Sequence, residues 1–556
     1  MRFKLPQKNQ TAWALLFLSI FSMTLQGLVF HSTLLSKLLM PWLMYFSFLV
    51  VLRPYASATF VFLLECLLVR IHLMKLALTN TPFEVEDIFA WKQALFLKSY
   101  SDWVIPLMVL GLIICVVKGF SLRKRQWVFF PVFILLSVSC VQESHPTEIQ
   151  TNPVSYLFRL ARVTYVDWNL VTNVKENGIF NHVFLTLSMG GVPAKGSLPY
   201  KDTSATASVF LDKDAPDVFL VLCESCYTSS NGNFITPISK IEEQGYSYAT
   251  VVSPVYGGMT AEAEFEVLTG LPSRRHKGID FQYYAEKYSG DAKAVPRVFA
   301  DHGYDTFSAH ANVGFFWKRE IVHPKFGFHQ SYFVDDIKGA ERGKYAEDRI
   351  LFDSVLSKYK ANLKAGKKTF GFLITVYTHG PYPDVNGDGG EQAYKDKVEK
   401  TTQQFLDFQT AAAKLAASRN RPIVFVIFGD HKPAMTVSFY KRHEFNDDYF
   451  TLTGSRNESF RFADLDKAQQ IVFGKVPMYA KGYGLGNSSL ISEFVKKMEE
   501  RPLFCLPALI AADIGVREAF FQYSTDVCRK DPEALVDLKV LGQYYPEAVY
   551  ADRLFK

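Results

Sequence analysis

The sequence has few cysteines and no concentrated block of positive charge, and each shortage excludes a class of protein. Seven cysteines among 556 residues are too few and too irregularly spaced for a dense disulfide framework. The formal net charge is only +6. Since no lysine- and arginine-rich block or aromatic-basic stripe occurs after Cys140, we expect no nucleic acid partner. No internal repeat or low-complexity tract stands out either.

Hydrophobic residues are abundant and unevenly distributed. They make up 49% of the chain, and the mean hydropathy of +0.04 is high for a purely soluble protein of this length. Leu, Phe, Val and Ile dominate up to about Cys140, whereas the remainder alternates apolar runs with charged and Gly/Pro-rich stretches. We therefore predict a transmembrane domain over 1–143, a linker over 144–215 and a water-soluble domain over 216–556. The linker contains a helix-like stretch that either lies on the membrane surface or packs as an ordinary amphipathic helix.

The first region contains five apolar stretches of about the length that a bilayer requires, roughly 17 to 25 residues. They are Thr11–Phe30, Leu34–Leu52, Ala56–Leu78, Asp102–Lys118 and Gln126–Val141. Lysines and arginines resist translocation and so mark the cytoplasmic side. Such cations precede the first stretch and lie between the second and third and between the fourth and fifth, namely Arg2, Lys4, Lys8, Arg53, Lys118, Arg123, Lys124 and Arg125. An odd number of spans then places the soluble domain outside the cytoplasm.

The soluble region has the pattern of an α/β domain with a mostly parallel central sheet. Its short apolar runs are rich in β-branched and aromatic residues, as buried strands are. The predicted strands are Asp217–Leu222, Tyr248–Val252, Thr306–Ala309, Phe370–Val376, Pro422–Phe428 and Val476–Tyr479. Helix-like spacing between them predicts helices over Val295–His302, Ala346–Leu363 and Tyr394–Ala417.

Polar side chains follow three of these strands directly. Glu224 follows the first strand, His379 the fourth, and Asp430 with His431 the fifth. Because the carboxyl ends of parallel strands form the ligand crevice of an open α/β sheet, we expect these side chains to lie at one edge. Glu224, Asp430 and His431 supply two carboxylates and an imidazole, a set suited to a divalent cation. Each alone is also common as a turn or helix cap.

Thr260 is the predicted nucleophile near this edge. It follows Gly257 and Gly258, which allow a tight turn and a close approach to a ligand, and it would begin an Ala/Glu-rich helix. A threonine at this place is also an ordinary helix cap, and the two roles are compatible. The amides and dipole of a helix N-terminus favour phosphate, and a metal can lower the pKa of the hydroxyl.

The ordered set of these segments resembles the lipoteichoic acid synthase family, within the alkaline phosphatase and sulfatase superfamily. The resemblance rests on Cys223-Glu224-Ser225, the segment from Gly257 to Gly270, His310-Ala311-Asn312, Phe316-Trp317-Lys318-Arg319, Tyr377-Thr378-His379 and Gly429-Asp430-His431. Five spans before the domain also match that family's architecture. The resemblance implies a multi-pass protein of the bacterial cytoplasmic membrane, with an alkaline phosphatase/sulfatase-like catalytic domain on the extracytoplasmic or periplasmic side.

What the resemblance implies can be carried over residue by residue. Glu224, Thr260, Asp430 and His431 match the residues that hold a manganese-type ion, for which zinc and magnesium are alternatives. Thr260 matches a nucleophile that forms a covalent phospho-threonine diester. Four further positions match residues that surround the phosphorylated headgroup, namely His310, Trp317, Arg319 and His379. A structural histidine at 379 and a core aromatic at 317 remain alternatives.

These roles predict transfer of a phosphoglycerol-type headgroup from a membrane phospholipid to a hydroxyl of a glycan or polymer. Arg319 would stabilise the phosphoryl oxygens, and His379 would protonate the leaving oxygen. Phosphoethanolamine transfer is the alternative within the same superfamily, and a catalytically silent lipid-binding regulator is the alternative of another class. Two cysteine pairs depart from the family pattern: Cys223 and Cys226 could form a strained disulfide or merely pack, and Cys505 and Cys528 could be bridged in an oxidising compartment.

Overall fold

The computed structural model of the protein forms two compact units, residues 1–191 and 192–556. It describes residues 9–30, 35–79, 82–83, 85–88, 103–122, 124–144, 153–163, 170–187, 215–273, 281–384, 387–453, 459–462, 465–487, 489–513, 522–551 and 553–555. The cations Arg2, Lys4, Lys8 and Arg123, and the predicted span ends Leu34 and Asp102, lie outside these ranges.

The described part of the first unit is helical. Its α-helices are Gln10–Phe30, Leu39–Phe48, Pro54–Thr79, Val104–Gly119, Phe130–Ser144, Pro153–Leu160, Leu170–Asn177 and Ile179–Leu185, and its 3-10 helices are Leu35–Leu38, Val85–Ile88 and Lys124–Phe129. The first and third α-helices are joined by a buried hydrogen bond of 2.7 Å from Gln26 Nε2 to Glu65 Oε1. Val154, Phe158, Val174 and Phe180 belong to the same apolar core as residues of the N-terminal helices.

Two helices in the described residues are long and apolar enough to cross a membrane, Gln10–Phe30 and Pro54–Leu76. The apolar helices Val104–Gly119 and Gln126–Cys140 are shorter. The predicted span Leu34–Leu52 contains an α-helix of only 10 residues, Leu39–Phe48, after a short 3-10 turn. At 1.5 Å per residue, ten residues span about half of a bilayer core. Two of the five predicted spans therefore have the expected length, and the count of five stays a prediction.

The second unit is built on a seven-stranded sheet. Its strands are β1 Asp217–Cys223, β2 Ser247–Val252, β3 Tyr304–His310, β4 Gln330–Tyr332, β5 Lys368–Ile374, β6 Ile423–Gly429 and β9 Lys475–Tyr483, and a separate hairpin contains β7 Phe450–Thr453 and β8 Ser459–Phe462. The sheet order is β2-β9-β6-β1-β5-β3-β4. Only β9 runs against the other six strands, because it is antiparallel to both β2 and β6. The predicted α/β fold with a mostly parallel sheet is confirmed.

Helices connect and cover these strands. The α-helices are Lys240–Glu243, Thr260–Thr269, Phe281–Tyr284, Val295–Asp301, Arg319–Lys325, Arg349–Lys364, Glu391–Ala417, Val437–His443, Lys467–Gly474, Leu490–Met498, Leu506–Asp513, Gln522–Val527, Pro532–Leu535, Leu538–Gly542 and Tyr545–Ala551. The 3-10 helices are Pro237–Ser239, Phe316–Lys318, Asp447–Tyr449 and Leu503–Cys505.

Strand β1 lies at the centre of the apolar core, and all seven of its residues are buried. Leu220 pairs with Phe372 of β5 on one side and with Val426 of β6 on the other. On one face, the Phe219 ring stacks on Phe425 of β6 and meets Phe408 edge-on. A strand covered on both faces and both edges holds the residue that follows it firmly in place.

Candidate metal and phosphate site

The carboxyl ends of the parallel strands bring the predicted site residues to one edge of the sheet. Glu224 follows β1, Thr260 lies beyond the end of β2, His310 ends β3, His379 lies beyond β5, and Asp430 and His431 follow β6. Sequence reasoning placed three strand ends at this edge. The structure adds β2 and β3, because both run in the same direction as β1.

Glu224, Asp430 and His431 form a compact buried cluster, with one potential ligand atom of each residue within 4.8 Å of the others. His431 Nε2 lies 3.2 Å from Asp430 Oδ2 and 3.6 Å from Glu224 Oε1. Asp430 Oδ2 and His431 Nε2 are buried and accept or donate no hydrogen bond. Buried polar atoms left without partners are costly, and two carboxylates with an imidazole suit a divalent cation. The residues therefore fit a metal ion.

Hydrogen bonds orient each of these three groups, and the Ser225 hydroxyl donates to Glu224 Oε1 at 2.8 Å. Asp430 Oδ1 accepts bonds from the amides of Ser225 at 2.7 Å and His431 at 2.9 Å, which leaves Oδ2 free. The hydroxyl of Ser253 donates to the backbone carbonyl of Asp430. His431 Nδ1 lies 2.9 Å from the Lys432 carbonyl and must donate to it, so Nε2 keeps a lone pair for a ligand. Such supporting contacts are typical of built metal sites.

Burial and the neighbouring charges shift the pKa values of Asp430 and His431. Burial and the neighbouring Glu224 carboxylate raise the pKa of Asp430 to about 7. Burial alone would lower the pKa of His431, but Asp430 and Glu224 outweigh it and raise that pKa. The Glu224 carboxylate contributes to both shifts, and a divalent cation would neutralise the negative charge of the two carboxylates.

Thr260 begins the helix Thr260–Thr269 beside this cluster. Its Oγ1 lies 3.3 Å from Glu224 Oε2, and the residue is 7% exposed. The preceding turn has positive φ at Gly257, Gly258 and Met259. Its Gly257 amide donates to the Lys432 carbonyl at 3.0 Å, which ties the turn to the segment carrying Asp430 and His431. The hydroxyl is thus placed next to the cluster at the positive end of a helix dipole.

Arg319 is buried and forms an ion pair with Glu264, a partner that the sequence did not indicate. Its Nε lies 2.9 Å from Glu264 Oε1 and 3.2 Å from Oε2, and its Nη2 also bonds to Oε1. Glu264 lies one turn after Thr260 on the same helix. Burial alone would raise the pKa of Glu264, but Arg319 and His323 outweigh it and lower that pKa to about 2. Direct binding of phosphate by Arg319 stays a prediction, and Nη1 is the nitrogen not bonded to Glu264.

His310 and Trp317 are both largely buried. His310 is 5% exposed, and its Nδ1 lies 3.0 Å from the Ile374 carbonyl, so Nδ1 carries the proton and Nε2 is an acceptor. Burial and the nearby Arg319 charge lower the pKa of His310 to about 3, which keeps the ring neutral. Trp317 is 8% exposed and has a φ of 57°. This backbone conformation is unfavourable for a bulky residue and is typical of functional turns.

His379 is the most accessible of the predicted site residues. Its Nδ1 lies 2.6 Å from the Gly380 carbonyl, so Nε2 is the nitrogen available to a substrate. Its ring stacks on Tyr345 with centroids 4.2 Å apart. The Lys397 ammonium donates a hydrogen bond of 2.7 Å to the His379 carbonyl. Asp348 supports the same segment, because its Oδ1 accepts the amides of Val376 and Tyr377 at 2.9 and 3.3 Å.

Sequence reasoning did not find Glu264, Tyr345 or Asp348. Glu264 lies in an Ala/Glu-rich stretch where an acidic residue is usually exposed, and only its place one turn after the proposed nucleophile singles it out. Tyr345 and Asp348 lie in a loop and at the start of a helix, respectively, without a distinctive pattern.

The fold and the cluster together define a class of protein. A parallel α/β sheet carries, at its carboxyl edge, a threonine at a helix N-terminus beside two carboxylates and an imidazole. This arrangement can bind a divalent cation with a hydroxyl beside it, which is the layout that metal-assisted chemistry on charged esters requires.

The comparisons with known proteins agree with this class. Residues 216–455 match the Sulfatase family model, in agreement with the sequence resemblance to the sulfatase superfamily. Members of this superfamily use divalent metal ions. A protein of Rhizobium meliloti (strain 1021) named for cyclic beta-1,2-glucan modification is 25% identical over 371 residues, which cover 61% of this chain and 56% of that protein. The chain thus matches little more than half of that relative's length.

Two solved structures are also similar in fold. The lipoteichoic acid synthase LtaP from Listeria monocytogenes has 19% identity and a TM-score of 0.41, over 59% of this chain and 77% of that one. The Streptococcus pyogenes phosphoglycerol transferase GacH, solved with sn-glycerol-1-phosphate, has 16% identity and a TM-score of 0.44, over 62% of this chain and 90% of that one.

Proposed function

We propose that this protein is a membrane-anchored transferase that moves a phosphoglycerol-type headgroup from a membrane phospholipid to a hydroxyl of a glycan or polymer. The main support is the position of Thr260 Oγ1, which lies 3.3 Å from Glu224 Oε2. It stands beside the buried cluster of Glu224, Asp430 and His431, in the region that matches the Sulfatase family model. The relative named for glucan modification supports a carbohydrate acceptor.

Two successive displacements account for the transfer. In the first, Thr260 Oγ forms a bond to phosphorus as the bond from phosphorus to the diacylglycerol oxygen breaks. In the second, an acceptor hydroxyl forms a bond to phosphorus and gives its proton to His379 Nε2, while the bond from phosphorus to Thr260 Oγ breaks and Thr260 regains its proton from Glu224. In the first step, Glu224 Oε2, 3.3 Å away, accepts the Thr260 proton, and a His379 ring that carries a proton on both nitrogens donates the one on Nε2 to the departing diacylglycerol oxygen.

Glu224, Thr260, Asp430 and His431 would hold the divalent cation, with manganese as our first choice and zinc and magnesium as alternatives. When bound, the cation would lower the pKa of the Thr260 hydroxyl and neutralise charge on the phosphate. The helix amides at Thr260 and the Arg319 Nη1 would face the phosphoryl oxygens, while neutral His310 and Trp317 would shape the side that receives glycerol.

The chain is proposed to work outside the cytoplasm, anchored by up to five spans in the bacterial cytoplasmic membrane. The two long apolar helices support anchoring. The sulfur atoms of Cys223 and Cys226, and those of Cys505 and Cys528, are bonded. Disulfides form and persist in oxidising compartments such as the periplasm, which supports this location of the domain. Confinement of the donor and the site to one surface would favour their encounter.

The experiment is to incubate the detergent-solubilised full chain with phosphatidylglycerol and Mn²⁺ and to search for glycerophosphate on Thr260 by peptide mass spectrometry. We expect the adduct and diacylglycerol with the wild-type chain, and neither with Thr260→Val. Thr269→Val is the matched control, because Thr269 lies on the same helix and its hydroxyl bonds to nearby backbone, at Phe265 and Leu271, in the part of the chain that the structure describes.

Parallel incubations separate the alternatives. An adduct formed from phosphatidylethanolamine instead of phosphatidylglycerol would establish phosphoethanolamine transfer. Lipid binding without an adduct or diacylglycerol from either donor would favour the silent regulator and refute the transferase. Omitting the acceptor glucan should preserve the adduct, and adding it should release the adduct as a phosphodiester on the sugar.

A further inference from the structure

The proposed metal ligand Glu224 lies inside a four-residue disulfide ring. Cys223 is the last residue of β1, and its sulfur is bonded to that of Cys226 three residues later. Both cysteine side chains are fully buried, and the Cys226 amide donates to the Cys223 carbonyl at 3.2 Å. Within the ring, Ser225 has a φ of 53°, so the chain reverses directly after Glu224.

The backbone of this ring is fixed from several sides. The Glu224 amide donates to Thr375 Oγ1 at 2.9 Å, and its carbonyl accepts from the Thr378 hydroxyl. The Ser225 carbonyl accepts from the Tyr394 hydroxyl at 2.7 Å. The Ser225 amide donates to Asp430 Oδ1, so the ring bonds directly to a second member of the cluster.

The ring also packs against the backbone that carries the other two ligands. A Cβ atom at Gly429 would lie 2.1 Å from the Cys226 carbonyl oxygen, which shows how closely the ring approaches β6. Asp430 and His431 are the next two residues along the chain. A change in the path of the ring would therefore move Glu224 relative to both of them.

We infer that the Cys223–Cys226 disulfide is a positioning element that sets the affinity of the site for its divalent cation. The inference rests on the proposed metal site. The bond keeps the Glu224 carboxylate in place before the ion arrives, so less order has to be created on binding. Loss of a group that orients a metal ligand typically weakens metal binding by roughly 10- to 100-fold.

The second disulfide provides the matched control. Cys505 and Cys528 are 23 residues apart in the helical C-terminal part of the unit. Cys505 ends the 3-10 helix Leu503–Cys505, which packs against the Thr260 helix, whereas Glu224, Asp430 and His431 lie on other segments, so this disulfide controls for a general loss of packing near the site. A disulfide that closes a longer loop restricts the unfolded chain more. Its removal should therefore lower thermal stability at least as much as removal of the short ring, without changing metal affinity.

The experiment compares the wild-type full chain in detergent with Cys223→Ala/Cys226→Ala and with Cys505→Ala/Cys528→Ala. After chelation and desalting, Mn²⁺ affinity is measured by titration calorimetry and Tm by unfolding without metal. We expect the first double variant to bind Mn²⁺ roughly 10- to 100-fold more weakly and the second to bind it as tightly as the wild type. Equal affinity in all three proteins would overturn the inference and leave the proposed function intact. Failure of the wild type to bind Mn²⁺, Zn²⁺ or Mg²⁺ would overturn both.

A second measurement covers the case in which the first variant misfolds. In the Cys505→Ala/Cys528→Ala chain, dithiothreitol should convert the remaining disulfide to two thiols while it is itself oxidised to its cyclic disulfide. The cysteines at 66, 115 and 140 belong to neither disulfide, so reduction adds two thiols to a known number. After removal of the reagent, Mn²⁺ affinity should fall, and it should recover once oxidised glutathione re-forms the bond. An affinity that does not change with the thiol count contradicts the inference.

Discussion

The buried pair of Glu264 and Arg319 makes a sharp prediction about stability. Both side chains are almost fully buried, at 0% and 2% exposure, and the carboxylate contacts two nitrogens of the guanidinium. His323 Nε2 lies 3.6 Å from Oε2 of Glu264. Glu264→Gln keeps the shape of the side chain but leaves the Arg319 cation buried without a counter-charge.

Two independent estimates of the stability lost in Glu264→Gln agree. Removal of one partner of a buried ion pair costs about 3–5 kcal/mol in other proteins. The Glu264 pKa of about 2, against an ordinary value of 4.5, corresponds to about 3 kcal/mol at neutral pH. We therefore expect Glu264→Gln to lower the free energy of unfolding by about 3 kcal/mol at pH 7.

The dependence on pH follows from the lowered pKa. A carboxylate whose pKa is depressed on folding contributes its full stability above the unfolded value of about 4.5 and loses it as the pH falls toward 2. The gap between wild type and Glu264→Gln should therefore be widest above pH 5 and shrink to about 1 kcal/mol near pH 3.

Urea unfolding of the detergent-solubilised chain, followed by circular dichroism at several pH values, measures this gap. Glu341→Gln is the control, since Glu341 pairs with Lys344 on the surface and its loss should leave stability unchanged. Equal stability of Glu264→Gln and the wild type at pH 7, or a gap that does not narrow on acidification, would refute the reasoning.

Two further predictions concern the surroundings of the site. Gly429→Ala places a Cβ 2.1 Å from the Cys226 carbonyl oxygen, so it should destabilise the chain by about 1–3 kcal/mol and weaken Mn²⁺ binding in calorimetry. Gly290→Ala, with no atom within 4 Å of its Cβ, should bind Mn²⁺ normally, and an unaffected Gly429→Ala would contradict the close approach. Burial raises the pKa of Asp348 to about 6, although Thr401 and two amides partly offset it. This group should therefore lower wild-type stability by about 2 kcal/mol as the pH rises from 4 to 7. Asp348→Asn should remove that decline in urea unfolding, whereas Asp353→Asn on the same helix should retain it, and an unchanged decline in Asp348→Asn would count against the assignment.

Much of the domain's sheet was predictable from local pattern. Each of the six predicted strands is present, with ends shifted by no more than four residues, because short β-branched and aromatic runs are buried on both faces of the sheet. The short edge strand β4 and the hairpin of β7 and β8 were not predicted. Strand β4 has three residues and is mostly polar, whereas β7 and β8 alternate apolar and polar residues but are only four residues long each. Runs this short do not stand out from loop sequence.

The site was predictable in part for a similar reason. Strand ends and glycines indicated Glu224, Thr260, Asp430 and His431, and the structure brings these four together. The sequence did not identify Glu264 as the partner of Arg319, because 55 residues separate the two. No spacing pattern links a residue within one helix to the start of another helix elsewhere in the fold. The metal-binding and catalytic roles of Glu224, Thr260, Asp430 and His431 stay predictions that the experiments above test.

The position of β2 has a consequence for the order in which the protein matures. Among the described strands, β2 is hydrogen-bonded only to β9, which comes more than two hundred residues later in the chain. Since a chain emerges from synthesis with its N-terminus first, the strand that leads to Thr260 must wait for residues up to Tyr483 before it can join the sheet. Nascent or truncated chains that stop before β9 would therefore lack Thr260 in its final place, so the proposed transfer could begin only once the domain is nearly complete.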